Sequence, residues 1–383
     1  MESGMKLWLL VAVIVLSMVP NMQKYCVVDA DDDDHQKPQV PCFFIFGDSL
    51  NDNGNNNLLQ TRAKVDYEPY GIDYPNGPTG RFGNGRTTVD IIAEILGFDE
   101  HIPPFTRVSN SQLLRGVNYA SGSAGLLEET GKHFGDCLSL GKQLENHQSV
   151  VSRISDDILG DISSTKQHLE KCLYWVEIGN NDYIINYFNP DHYPSSRLYT
   201  PDQYADILIK IYSQIILGLY ENGARKLALF GLGRIGCIPH SISSHSDEID
   251  RDLSNINPID VICVESMNDA VTFFNDKLQS LVKELNTNLT DAHFAYFNPY
   301  PTPDDITNRP NNHGFKVLNA GCCQVNEVGQ CLPSKTPCEH RSSYYFWDSY
   351  HPTEAANLFS ARRIRSEIIQ LIQHTSKQSS SSS

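Results

Sequence analysis

A serine closes the run Phe46-Gly47-Asp48-Ser49 and stands ahead of Leu50 and an asparagine-rich stretch. Its hydroxyl is a weak nucleophile at neutral pH and needs a base for its proton, normally a neutral histidine with an ordinary pKa of about 6.5. Of the thirteen histidines, His351 has Asp348 three residues before it and Pro352 directly after, in Phe346-Trp347-Asp348-Ser349-Tyr350-His351-Pro352-Thr353. That separation within a turn brings a carboxylate to one imidazole nitrogen and leaves the other for a serine. Acyl transfer also needs donors for a developing oxyanion. Two segments offer them: Asn118-Tyr119-Ala120-Ser121-Gly122-Ser123-Ala124-Gly125, with a flexible backbone at Gly122, and Gly179-Asn180-Asn181-Asp182, with a carboxamide at Asn181. Each piece has a plainer reading by itself. Gly-Asp-Ser is an ordinary turn, and Asp348 with His351 also reads as a helix cap followed by a loop histidine.

The elements that must position these residues are legible from pattern. Residues 42–46 are a short apolar, aromatic-rich run that stops abruptly at Gly47, which predicts a buried strand ending in a turn. Runs at 173–178, 226–230 and 293–297 predict further strands. Val89, Ile92, Ala93 and Leu96 recur at helical spacing and predict a helix over 87–96. Thr200-Pro201-Asp202 supplies an N-cap, a first-turn proline and a dipole-favoured acid for a helix to about 221, stopped by Gly223. Further helices are expected over 265–289 and 353–372. Strands separated by helices of this length imply crossovers and a mostly parallel sheet covered on both faces, an α/β fold. Ser49, at the C-terminal end of a buried strand, then stands where such sheets bind ligands. No linker interrupts residues 42–373, so one domain is expected there.

The 383 residues, 40% apolar and 20% charged, suit a globular chain with a substantial core. The net charge of −16 and the lack of a basic stripe argue against nucleic acid as a partner. Lys6 followed by the apolar run 7–19 predicts a secretory signal peptide, with cleavage placed near Ala30. Residues 31–41 form an acidic tail that opens with four aspartates at 31–34, with Asp29 just before it, and the serines closing residues 374–383 form a low-complexity end. No internal stretch is long enough to span a bilayer. Ten cysteines fit an oxidising compartment and disulfides; zinc is the rival at Cys322, Cys323, Cys331 and Cys338, whose spacing is irregular for a metal site. Loss of Cys26 with the leader leaves nine, so at least one thiol is unpaired. Asn288-Leu289-Thr290 is a sequon for glycosylation at Asn288.

Four blocks in one order, Phe46 to Asn57, Asn118 to Gly125, Gly179 to Asp182 and Phe346 to Glu354, resemble the plant-type GDSL esterase/lipase branch of the SGNH hydrolases, and the resemblance runs over residues 42–373. It departs from the family at Arg234, where a proline is more usual. The resemblance implies a flavodoxin-like three-layer α/β/α fold and ester hydrolysis without metal or organic cofactor. Ser49 would be the nucleophile, His351 the base and Asp348 its orienting acid. The backbone amides of Ser49 and Gly122 and the Asn181 side chain would hold the oxyanion. The substrate would be a lipid, acetylated-glycan or specialised-metabolite ester, and an acyltransferase would use the same residues.

Two other readings compete. An ordinary α/β-hydrolase needs Gly-x-Ser-x-Gly, which fails at Ser49 because Asn51 follows and at Ser123 because Ser121 precedes. A catalytically silent glycan-binding protein would use surface aromatics such as the tyrosines between 67 and 74, but it has no need to keep all five site residues.

Overall fold

A parallel sheet explains why the apolar runs alternate as they do. The computed structural model describes residues 37–249, 253, 256–299 and 313–373. The expected leader with Cys26, residues 31–36 of the acidic tail and the serine-rich end 374–383 lie outside the described residues. Four strands, β1 (Phe43–Gly47), β2 (Leu173–Glu177), β3 (Lys226–Phe230) and β4 (His293–Phe297), pair in parallel in that order. Phe43 faces Leu173, Leu173 faces Lys226 and Lys226 faces His293.

Alternate side chains of each strand enter opposite cores. Phe44, Phe46, Tyr174, Val176, Leu227 and Leu229 pack on one face, and Phe43, Ile45, Leu173, Trp175, Ala228 and Phe230 on the other. The first face is covered by α2 (Leu140–Arg153), α4 (Pro201–Glu221) and α5 (Glu265–Asn288), the second by α1 (Thr88–Ile95) and α6 (Glu354–Gln373). α3 (Ile162–Leu169) precedes β2. This is the expected α/β/α arrangement. Helix starts follow the capping rules: Thr87 and Thr200 each form a capping box, with Asp90 and Gln203 reciprocating.

Three features exceed the sequence reading. The segment around Asn118 lies in parallel along the free edge of β1, with Ile45 N–H donating to Val117 O and Tyr119 N–H to Ile45 O. It supplies the outer strand position of a flavodoxin-like order without regular strand pairing. Helices α2 and α3 were not anticipated. A small parallel pair, β5 (Val317–Gly321) and β6 (Tyr344–Phe346), leads into the Asp348–His351 segment.

Disulfides join Cys42–Cys172, Cys237–Cys263, Cys322–Cys338 and Cys323–Cys331, and Cys137 is a buried free thiol. The four clustered cysteines are therefore cross-links, and among the described residues the unpaired thiol is Cys137. Among the described residues no helix is long and apolar enough to cross a membrane.

Candidate active site

Ser49 is presented by the way β1 ends. Gly47 closes the strand where a Cβ would meet Asn51 Nδ2 at 2.7 Å and Glu177 O at 2.9 Å, so only glycine fits. Both polar groups of the Gly47 backbone are held by one amide: Gly47 N–H donates to Gln143 Oε1 (2.9 Å) and Gln143 Nε2 donates to Gly47 O (2.8 Å). The chain then turns tightly, with Asn51 and Asp52 N–H donating to Asp48 O and Leu50 N–H to Asp48 Oδ1. Ser49 is thereby lifted onto the floor of a cavity of about 360 Å³.

His351 comes from the other end of the chain. Arg86 joins the start of α1 to the start of α6, with Arg86 Nη2 at 2.6 Å from Glu354 Oε1 and Asn357 Nδ2 donating to Arg86 O. The turn preceding α6 carries Asp348, which is fully buried and accepts from Tyr350 N–H and His351 N–H at 2.8 Å each. Its two oxygens lie 2.9 and 2.8 Å from His351 Nδ1, and His351 Nε2 lies 2.8 Å from Ser49 Oγ, a contact between residues 302 positions apart. The Phe82 ring packs against the imidazole with centroids 4.9 Å apart.

Tyr70 is a component that pattern reading missed. It is completely buried, donates its hydroxyl to Asp348 Oδ2 at 2.7 Å and accepts from Cys331 N–H. Burial and the neighbouring Asp348 push this phenol well above its ordinary pKa, so it stays a donor. The tyrosine-rich segment thus contributes a buried side chain rather than a surface aromatic patch at this position.

The oxyanion candidates separate. Ser49 N–H has no acceptor among the described residues, and Asn181 donates one carboxamide hydrogen to Ala124 O (2.9 Å), leaving the other for a ligand. Gly122 requires a correction. Its N–H is already donated to Asp52 Oδ2 (3.0 Å), its carbonyl accepts from Asn56 Nδ2 (3.0 Å), and it does not line the cavity. A Cβ there would meet Phe82 at 2.5 Å, so this glycine serves close packing. The next residue, Ser123, does line the cavity; it is held at φ 62°, and its N–H has no acceptor among the described residues. A non-glycine residue in this left-handed region is strained by roughly 1–2 kcal/mol, a sign of an imposed conformation.

Two buried acids, Asp48 and Glu177, lie beside the nucleophile, and Arg234 and Arg363 line the cavity further out. Burial pushes Asp48 up to about 8 and raises Glu177, which accepts from Asn51 Nδ2 and Trp175 Nε1. Most of the cavity surface is apolar, with Phe134, Ile184, Ile185, Ile238, Val261 and Leu318 among its walls. Asn288, by contrast, ends α5 far along the sequence from these groups and is exposed.

The GDSL-like Lipase/Acylhydrolase family model matches residues 43–364. The chain is 47% identical to the GDSL esterase/lipase At1g29670 of Arabidopsis thaliana, over 95% of this chain and 94% of that protein. It is 47% identical to GDSL esterase/lipase At5g45670 of the same plant, over 85% of this chain and 88% of that protein. On this match and these identities, the chain belongs to the GDSL lipase/acylhydrolase family and is a carboxylic ester hydrolase.

Proposed function

We propose that this protein hydrolyses esters with an apolar portion through an acyl-enzyme on Ser49, in a domain spanning residues 42–373. The observation that carries the reading is the continuous chain from Ser49 Oγ to His351 Nε2 and from His351 Nδ1 to Asp348. Ser49 Oγ attacks the acyl carbon while its proton passes to His351 Nε2. The imidazolium, steadied by Asp348, then gives that proton to the departing alcohol oxygen. Water loses a proton to His351 and attacks the acyl carbon, and Ser49 Oγ regains the proton as the acid leaves. The oxyanion is held by the Ser49 and Ser123 amides and the Asn181 carboxamide, with Ser123 replacing the donor first expected at Gly122. The apolar cavity supports lipid or other hydrophobic esters over acetylated glycans.

A fluorophosphonate probe is expected to modify Ser49 alone, located by peptide mass spectrometry; attachment to Ser123 or any other serine overturns the assignment. Asn181→Ala is expected to lower kcat by about 10²- to 10³-fold with little change in KM, because the carboxamide acts on charge that develops after binding. Steady-state kinetics on a p-nitrophenyl ester decide this. Four disulfides support export through a leader ending near Ala30, and the exposed Asn288 is accessible to a glycan.

A further inference from the structure

The asparagine-rich stretch after Ser49 has no part in the proton path, yet three of its side chains, those of Asp52, Asn55 and Asn56, are buried and reach one neighbouring segment. Asn55 Nδ2 donates to Asn118 O (2.9 Å) and Ala120 O (2.8 Å), and Asn56 Nδ2 to Gly122 O (3.0 Å), while Asn56 Oδ1 accepts from Ser121 Oγ. Asp52, fully buried, sits at the centre. Its Oδ1 accepts from Gly54 and Asn55 N–H at 2.8 Å each, and its Oδ2 from Gly122 N–H at 3.0 Å and more weakly from Asn56 N–H. We propose that Asp52 is a positioning residue for ester hydrolysis: by capturing the Gly122 N–H it turns the next amide, that of Ser123, towards the cavity as an oxyanion donor.

The proposal rests on the Ser49 reading above. A peptide chain at φ 62° directs successive N–H groups differently, so an amide fixed on Asp52 dictates where its successor points. The other end of the same segment is held independently: Asp182 accepts from Leu126 and Leu127 N–H and Thr130 Oγ, and Asn181 Nδ2 binds Ala124 O. Ser123 is thus stretched between two fixed peptides, which accounts for its strained conformation. Asp52 has no salt-bridge partner among the described residues; burial pushes it up to about 6, partly offset by the peptide donors. A neutral amide therefore replaces it without stranding a buried cation, which favours a folded variant.

Asp52→Asn keeps an oxygen for Gly54 and Asn55 but turns an NH₂ group against Gly122 N–H. Turnover is measured per Ser49 titrated with fluorophosphonate, so an unfolded fraction does not enter. The expected result is a kcat loss on the order of 10²-fold, KM changed less than about threefold, and weakening of a trifluoromethyl ketone inhibitor by the same factor as kcat. Asn56→Ala, which frees the Gly122 carbonyl, is expected to show the same pattern with a smaller loss, and it decides the matter should Asp52→Asn fail to fold. Unchanged kcat per titrated site, or a kcat loss with undiminished ketone binding, overturns the role of Asp52. Fluorophosphonate labelling of the unmutated protein at a residue other than Ser49 instead overturns the underlying reading, so the two failures are distinct.

Discussion

Replacing Ser49 with alanine is expected to lower p-nitrophenyl ester turnover by roughly 10⁴-fold or more while leaving the protein folded. The size follows from what is removed. Without Oγ no acyl-enzyme forms, and the remaining rate is that of water attacking an ester polarised by the oxyanion donors alone. The fold should tolerate the change, because Oγ has one partner, His351 Nε2, and both face the cavity. Loss of activity in a protein with an unchanged circular dichroism spectrum and melting temperature is the supporting result. Hydrolysis retained above a few per cent of the original rate sinks the assignment of Ser49.

Asp348→Asn is expected to cost about 10⁴-fold in kcat, although it changes one atom. The carboxylate is surrounded by donors only: two backbone N–H groups on Oδ1, the Tyr70 hydroxyl on Oδ2, and His351 Nδ1 between them. An asparagine must place its NH₂ against one of these sets. The Oδ1 position, with two fixed backbone donors, retains the oxygen, so the NH₂ group falls near Tyr70 and His351 Nδ1. The imidazole then keeps its proton on Nε2, facing Ser49, and has no lone pair there to accept the serine proton. Nitrogen-15 spectra of His351 together with kcat and KM test this. A wild-type tautomer, or a kcat loss below about tenfold, is incompatible with the proposed role of Asp348.

The parts of this site that could be read in sequence are those for which a local pattern carries the function. β1 announces itself as five apolar residues stopped by Gly47, and Asp348 and His351 share a turn, so their relation is a matter of three residues. Asn181 follows a strand directly. Tyr70 was illegible because its partner Asp348 is 278 positions away and nothing local marks that tyrosine among its neighbours as buried. Gln143, which grips both sides of Gly47, lies in a helix whose pattern was too polar to be noticed, with a buried face of only a few residues. Gly122 misled for a physical reason. Glycine advertises backbone freedom, but here it serves close approach, and the left-handed residue is a serine whose strain tertiary contacts impose. The edge segment at Asn118 escaped notice because it follows β1 through three backbone hydrogen bonds without a β-branched run.

The span of 302 positions between Ser49 and His351 also has a consequence in time. A nascent chain that has emerged as far as β4 already possesses the proposed nucleophile, the proposed oxyanion donors and most of the cavity wall, but lacks the proposed base. At synthesis rates of about 5–20 residues per second, the 54 residues from Phe297 to His351 take roughly 3–11 s. Through that interval the growing polypeptide lacks the base that the proposed Ser49 chemistry requires. On the proposed mechanism, activity waits until the turn that precedes α6 brings His351 to Ser49, so emergence of that turn is itself the activating event.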